Sequence, residues 1–200
     1  MTVPRRRLLV ATGSAHKLIE LQRLLGDLPI DLVTLRDVGI TDESPEEGAT
    51  FEENALQKAR WYAQASGEWT LADDSGLEVS ALNGAPGVYT RRYAGPDATD
   101  VQNYEKLLAE TAGVVDRTAR FVCTMALIDP ANGSERTFRG ECQGTLATAP
   151  RGEFGFGYDP IFEVDGRTMA ERAPTEKDAL SHRGRAAELV AAALRSDLQP

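Results

Sequence analysis

Two adjacent carboxylates, followed at once by a hydroxyl group and a glycine, form the stretch of this sequence best suited to chemistry. Asp73-Asp74-Ser75-Gly76 comes at the C-terminal end of a short, β-prone run from Trp69 to Ala72. Side chains alternate across a strand, so one carboxylate can face a cleft while neighbouring backbone holds the other. Such a group could hold Mg²⁺ or take a proton from water. The same four residues are also typical of a turn, which is the alternative interpretation.

A second candidate lies near the start of the chain, where small residues separate a strand from a helix. The apolar run from Arg7 to Ala11 predicts a buried strand, and the leucines after Lys17 predict a helix with one apolar face. The intervening Thr12-Gly13-Ser14-Ala15-His16-Lys17 could bind phosphate through backbone N–H groups and the charge of Lys17. It lacks the second glycine and the Lys-Ser/Thr pair of a Walker P-loop, so an ordinary helix cap is an equal alternative.

An acidic loop leads into the next predicted helix. Glu46 and Glu47 lie in this loop, either as solvated side chains or as metal ligands. Thr50 and Glu53 fit a capping box that opens a helix running to about Ser66. Lys58 lies one and a half turns into that helix and could face a cleft.

Glycines alternate with aromatic residues late in the chain. The stretch from Phe154 to Pro160 could bring backbone and ring faces against a planar base, or its rings could only fill the core. Thr175 is expected to cap a short helix that carries Lys177. Ser181-His182-Arg183-Gly184 follows. A histidine near a helix start is usually structural or solvated, but His182 with Arg183 and Lys177 is expected to make a donor cluster.

Further strand and helix patterns follow along the chain. Asp31 to Leu35 and Leu77 to Ala81 are expected to be strands, and a helix should run from Thr99 or Asp100 to about Thr111. Two longer β-like segments, Thr118 to Ile128 and Glu135 to Ala147, are joined by a stretch containing Asn-Gly. They predict a hairpin whose second strand has one exposed face.

Composition narrows the classes of partner. The 200 residues carry a net charge of −9 and a pI near 4.8, which argues against binding a nucleic-acid polymer. No apolar run approaches the roughly 18 residues that span a bilayer, and no secretory signal is expected. Cys123 and Cys142 have no metal-site spacing and are expected to stay reduced, as in the cytoplasm. The apolar content of 42% suffices for a full core in one domain or in two tightly joined lobes, and a single domain over residues 1–200 is expected.

Six stretches, taken in order, closely resemble the inosine/xanthosine triphosphate pyrophosphatase family, which removes non-canonical purine nucleotides. The resemblance covers nearly the whole chain, from Leu8 to about Leu194. The stretches are Thr12 to Lys17, Glu46 to Ala59, Ala72 to Leu77, Gly84 to Gly87, Phe156 to Pro160 and Ser181 to Gly184.

The resemblance implies a fold, a reaction and a site. The fold would be an α/β protein with an elongated mixed β-sheet flanked by helices, and two lobes with the active site in the cleft between them. The expected activity is Mg²⁺-dependent hydrolysis of dITP, ITP and XTP to the monophosphate and pyrophosphate, by a homodimer. Its ranking among these three substrates is left open.

Site roles carried over by motif fall into three groups. The catalytic base is Asp74, which is also expected to bind metal together with Glu46. The substrate-binding residues are Thr12, Gly13, Ser14, Ala15, His16, Lys17, Lys58, Ser75, Phe156, Gly157, Tyr158, Asp159, Lys177, His182 and Arg183. The family usually has Asn where Ser14 stands, which puts a direct contact from that side chain in doubt.

Two other functions are considered. One is a pyrophosphatase of the septum-inhibitor-like family, which acts on pyrimidine triphosphates and opens with a similar strand, turn and helix. The Asp-Asp-Ser-Gly and Ser-His-Arg-Gly stretches argue against it. The other is a nucleotide-binding module without catalysis, which would bind ITP and release no pyrophosphate.

Overall fold

The computed structural model describes residues 5–198, and within them seven strands form one mixed sheet in the order β2-β1-β3-β4-β5-β6-β7. The strands are β1 (Arg6–Val10), β2 (Ile30–Thr34), β3 (Trp69–Val79), β4 (Thr118–Asp129), β5 (Ser134–Leu146), β6 (Phe162–Val164) and β7 (Arg167–Thr168). The helices are α1 (Ala15–Leu25), α2 (Phe51–Ser66), α3 (Asp100–Glu110), α4 (Pro174–Leu180) and α5 (His182–Asp197). The predicted α/β class with a mixed sheet is confirmed.

The chain divides into two compact units. Within the described residues, the first comprises residues 5–74, 124–139 and 184–198, and the second comprises residues 75–123 and 140–183. Strands β3, β4 and β5 each continue from one unit into the other. The cleft between two lobes that the family resemblance implies stays a prediction.

The first unit contains the parallel part of the sheet. β1 pairs with β2 and with β3 in parallel, so that Val10 lies opposite Thr34 on one side and Leu71 on the other. The capping box predicted at Thr50 is present, and helix α2 begins where it was expected. Its predicted inward face is buried against the strands, with Phe51, Ala55, Ala59, Tyr62 and Ala63 all at most 5% exposed.

The second unit has its own core and contains strands β6 and β7. β6 pairs with β5 and β7 in antiparallel fashion. Leu77, Leu107, Phe121, Tyr158 and Phe162 pack in one buried cluster. The hairpin of β4 and β5 is confirmed, and β5 alternates between exposed and covered residues over its first half, as predicted.

The interpretation of Asp73 to Gly76 as a turn is wrong, and so is the predicted end of the strand at Ala72. β3 continues through all four residues, and the strand predicted from Leu77 to Ala81 is its second half, which ends at Val79. β3 lies between β1 and β4 in the sheet order. Pairing of its backbone with these neighbours outweighs the local turn preference of Asp, Ser and Gly.

The predicted cap at Thr175 is also wrong. α4 begins at Pro174, and no side chain caps it through a hydrogen bond. The fixed φ of proline suits the first position of a helix, which moves the start ahead of Thr175. Across residues 5–198, no helix is both long and apolar enough to cross a membrane.

Candidate active site

Two lysines of the first unit converge on Asp73. Lys17, in the first turn of α1, places its Nζ 3.0 Å from Asp73 Oδ2. Lys58, on α2, donates from Nζ to the Asp73 carbonyl oxygen at 3.2 Å. The Asp73 side chain is only 1% exposed, whereas Lys17 retains 18%, so the pair is largely removed from water. Both predicted phosphate-binding lysines therefore lie together at the middle of β3.

The neighbouring carboxylate, Asp74, has different partners. Its Oδ2 accepts a hydrogen bond from Asn54 Nδ2 at 3.0 Å. Burial raises the pKa of Asp74 above its ordinary value, against the opposing effect of the charges of Lys17 and Lys58. A carboxylate with a raised pKa is a better proton acceptor than an exposed one, which fits the predicted role of Asp74 as a base.

Glu46 and Lys58 form an ion pair in the same unit. Burial by itself would lower the pKa of Lys58, but the carboxylates of Glu46 and Asp73 outweigh it and raise this pKa. Lys58 therefore keeps its positive charge at neutral pH. The pair also brings Glu46, the second predicted metal ligand, to the lysine that contacts β3.

Asp74 and Glu46 are the carboxylates of this unit predicted to bind Mg²⁺. Within residues 5–198, no three or more His, Cys, Asp and Glu side chains are grouped to hold a metal alone. Mg²⁺ usually takes one or two carboxylates and completes its shell with water and substrate phosphates. Asp74 and Glu46 provide two carboxylates, and the desolvated charge of Asp74 is favoured by a nearby cation. The donor set fits an ion held jointly with a triphosphate.

The turn before α1 has a structural role of its own. Thr12 Oγ1 accepts a hydrogen bond from the Ser14 backbone N–H at 3.1 Å. Ser14 is the N-cap of α1, and its Oγ accepts from the Lys17 backbone N–H at 3.4 Å. The helix-cap interpretation is therefore confirmed. Gly13, Ala15 and His16 are exposed, so the turn is also open to an anion from solvent.

A cluster in the second unit gathers residues predicted for the base and sugar. Lys177 Nζ lies 2.5 Å from Asp159 Oδ2, and both side chains are at most 5% exposed. Asp159 Oδ2 also accepts from the Phe156 backbone N–H at 2.9 Å. Lys177 Nζ lies 4.9 Å from the centre of the Phe156 ring. Gly155 is required here, because a Cβ at this position would come within 2.1 Å of Asp159 Oδ2.

Arg183 extends this cluster to the start of the second half of β3. Its Nη2 donates to Ser75 Oγ at 2.8 Å, and its Cζ lies 5.8 Å from the Phe156 ring centre. Arg183 is only 1% exposed. His182 is also buried, and its ring stacks on Phe121 at a centroid distance of 4.6 Å.

Two further predicted residues are held by their surroundings. The ring of Tyr158 is in the core, and its hydroxyl donates to the Thr90 carbonyl oxygen at 2.9 Å. The Gly157 backbone N–H donates to Asp100 Oδ2 at 2.7 Å. The Tyr158 ring therefore fills the core, which was the alternative interpretation of the stretch from Phe154 to Pro160.

Sequence reasoning missed two side chains that support these clusters. Asn54 is 2% exposed and follows Phe51 by three residues, so the helical period that turns Phe51 inward turns Asn54 inward too. A polar residue on that apolar face was a usable signal. Asp100, which binds the Gly-rich loop, gave no such signal, since an acidic residue in the first turn of a helix is already explained by the helix dipole.

Comparisons with known proteins agree over most of the chain. The model of the Ham1 family matches residues 8–193. The dITP/XTP pyrophosphatase of Syntrophobacter fumaroxidans is 51% identical, over 90% of this chain and 78% of that protein. The dITP/XTP pyrophosphatase of Nocardia farcinica is 52% identical, over 90% of each chain. A HAM1 protein structure from Coxiella burnetii superposes with a TM-score of 0.87 at 43% identity, covering 96% of this chain and 99% of that one. The chain belongs to the Ham1 family.

Proposed function

We propose that this protein hydrolyses non-canonical purine nucleoside triphosphates, namely dITP, ITP and XTP, to the monophosphate and pyrophosphate. The observation that carries the proposal is the convergence of Lys17 and Lys58 on β3 beside Asp74. Two cations next to a desolvated carboxylate suit a reaction that neutralises phosphate charge and activates water. Relatives about half identical to this chain bear the name dITP/XTP pyrophosphatase, which supports the same choice.

The residues of the first unit act on the phosphates and on water. The turn from Thr12 to His16 and the Lys17 ammonium bind the phosphate oxygens, and Lys58 assists. Asp74 accepts the proton of the attacking water, for which its raised pKa suits it. No covalent enzyme intermediate is needed, since water itself cleaves the anhydride bond between the α and β phosphates, with pyrophosphate as the leaving group.

The residues of the second unit bind the base and sugar. Phe156 offers a ring face for stacking, and Lys177, His182 and Arg183 supply donors. Ser75, which receives a hydrogen bond from Arg183, contacts the substrate beside the catalytic carboxylate. Gly157 and Asp159 shape the loop that carries Phe156, and Tyr158 anchors it in the core.

Mg²⁺ is the cofactor that we propose, with Asp74 and Glu46 as its protein ligands. When bound, it would neutralise phosphate charge and lower the pKa of a coordinated water. An acidic protein that binds a polyanion gains most from such a cation, because its own net charge is −9.

The proposal extends to the working form of the protein. Residues 1–200 would act as one nucleotide-hydrolysing domain in a cytoplasmic homodimer. The family resemblance supports the dimer, and two cysteines without metal-site spacing suit a reducing compartment. Sedimentation velocity of the purified protein tests the dimer directly.

A pyrophosphate-release assay tests the reaction. The purified protein is given ITP, dITP, XTP, ATP, GTP and a pyrimidine triphosphate, each with Mg²⁺ and with EDTA. We expect equal amounts of monophosphate and pyrophosphate from the first three substrates, and no turnover in EDTA. Preference for the pyrimidine, or binding of ITP without product, would replace the proposal with one of the two other functions. Full turnover in EDTA would remove the metal from the mechanism.

A further inference from the structure

The loop that carries Glu46 is held through its backbone by the first two turns of α2. The N–H of Glu47 donates to Gln57 Oε1 at 3.2 Å, and that of Gly48 donates to Asn54 Oδ1 at 2.7 Å. The next two N–H groups both donate to Glu53 Oε2, at 2.7 Å from Ala49 and 3.2 Å from Thr50. Three side chains of one helix therefore hold four consecutive peptide N–H groups, and with them the backbone next to Glu46.

Asn54 differs from the other two side chains because its amide also reaches β3. Its Oδ1 accepts from Gly48 while its Nδ2 donates to Asp74 Oδ2 at 3.0 Å. This pattern fixes the orientation of the amide, since a carboxylate can only accept and a backbone N–H can only donate. Asn54 is 2% exposed, and its bond to Asp74 is buried, whereas the bond from Gly48 is partly buried. A hydrogen bond in a buried environment is electrostatically stronger than one in water.

Close packing confines the loop against Asn54. A Cβ on Gly48 would come within 2.8 Å of Asn54 Oδ1 and within 2.7 Å of Glu53 Cβ. Only glycine allows the backbone to approach the helix this closely. The distance between the loop and Asn54 is thus set by contact as well as by hydrogen bonding.

We propose that Asn54 is a positioning residue for catalysis, which orients the Asp74 carboxylate and ties it to the loop of Glu46. The inference rests on the proposed function, because it deepens the role of that same site. Groups that orient a reacting or metal-binding carboxylate are worth roughly 10- to 100-fold in activity or metal affinity. The Asn54 amide binds the Asp74 carboxylate and the backbone two residues after Glu46, so it links the segments that carry the two predicted metal ligands.

Asn54→Asp separates the two bonds of this amide. The new carboxylate keeps an acceptor for the Gly48 N–H but loses the donor to Asp74 and repels it. We expect kcat for dITP to fall by roughly 10- to 100-fold at saturating Mg²⁺, with a much smaller change in KM. Asn54→Ala, which removes both bonds without adding charge, should also lower kcat. The matched control is Gln57→Ala, which loses a bond to the same loop but none to Asp74 and should keep its kcat.

Protein stability supplies a readout that does not depend on turnover. Asn54→Asp should lower the unfolding temperature in EDTA, because it places two carboxylates in contact. Adding Asp74→Asn should restore it, since the hydrogen bond can re-form with donor and acceptor exchanged. The double variant should stay inactive, because the carboxylate at position 74 is gone.

Each outcome separates this inference from the proposed function. A wild-type protein that releases no pyrophosphate overturns the proposed function and this inference with it. An active wild type together with near-normal kcat in Asn54→Asp and Asn54→Ala overturns the positioning role alone. Equal kcat losses in Asn54→Ala and Gln57→Ala would also overturn it, because the loop and not Asp74 would then be responsible. If adding Asp74→Asn does not restore the unfolding temperature of Asn54→Asp, the contact between residues 54 and 74 is contradicted.

Discussion

Lys17 and Asp73 form an ion pair, with Lys17 Nζ 3.0 Å from Asp73 Oδ2, while the adjacent Asp74 accepts from the amide of Asn54. Neighbouring carboxylates on one strand therefore have different partners. Asp73 is bound to a lysine that we assign to phosphate, and Asp74 is the carboxylate assigned to water. Substitution by Asn, which is nearly isosteric, can test this division one residue at a time.

Asp74→Asn should remove activity and leave the fold intact. We expect kcat to fall by roughly 10²-fold or more, which is the scale of losing a general base. Burial raises the pKa of Asp74 in the folded protein. Ionisation of Asp74 therefore destabilises the fold, and the free energy of unfolding falls as pH rises through that pKa. The variant should therefore be at least as stable as wild type in urea at pH 8 with EDTA. Near-normal turnover by the folded variant would exclude Asp74 as the base.

Asp73→Asn is the matched control, and it should lose more stability and less activity than Asp74→Asn. It breaks a largely buried ion pair and leaves the Lys17 charge without its carboxylate, so we expect a loss of about 1–3 kcal/mol in unfolding free energy. Its kcat should fall less than that of Asp74→Asn. The same urea titration and turnover assay compare the two variants. A larger loss of kcat in Asp73→Asn than in Asp74→Asn would show that Asp73, and not Asp74, is the carboxylate needed for the chemistry.

Arg183 should contribute to the choice of base. Hypoxanthine and xanthine carry a keto oxygen at position 6, which accepts hydrogen bonds, whereas adenine carries an amino donor. Arg183 can only donate, and a donor left without a partner costs about 1–3 kcal/mol. That cost corresponds to roughly 5- to 150-fold in rate for each mismatch. Arg183→Ala should therefore lower the ratio of kcat/KM for ITP over ATP.

Phe156→Leu is the comparison for Arg183→Ala. Stacking adds affinity for any base, so this variant should raise KM for ITP and ATP together and keep their ratio. Steady-state kinetics with both nucleotides measure the effect. An unchanged ITP/ATP ratio in Arg183→Ala, or turnover of ATP equal to that of ITP by wild type, would contradict this account of the base pocket.

Asp129 should make the stability of the first unit change with pH in the acid range. Burial alone would raise the pKa of Asp129, but hydrogen bonds from Arg6 and the Ala131 backbone outweigh it and lower this pKa. A lowered carboxylate pKa stabilises the fold above the unfolded value near 3.9, and that contribution is lost as pH falls through the folded value. The stability gap between wild type and Asp129→Asn should therefore be constant from pH 7 to about 5 and shrink below it.

Urea unfolding of both proteins across this range measures the gap. Arg6→Gln should reduce the pH dependence in part, since the Arg6 Nη2 lies 2.7 Å from Asp129 Oδ2 and the backbone bond from Ala131 remains. A gap that is the same at pH 7 and pH 3 would show that the ionised form of Asp129 does not stabilise the fold.

Local sequence patterns determined the elements whose causes are themselves local. The capping box of Thr50 and Glu53, the inward face of α2 and the hairpin of β4 and β5 all follow from neighbours within a few residues. The residue types proposed for phosphate and metal binding were also visible, because Lys17, Lys58, Glu46 and Asp74 carry the charges that such binding requires.

Only the tertiary structure decided how those residues meet. Asp73 to Gly76 favours a turn by itself, and pairing of β3 within the sheet made it a strand. The two lysines lie 41 positions apart in the sequence and on different helices, and only the folded chain brings both to Asp73. Asn54 and Asp74 are 20 residues apart, and their bond depends on burial of both. Contacts between distant residues depend on the assembled core, which no local pattern encodes.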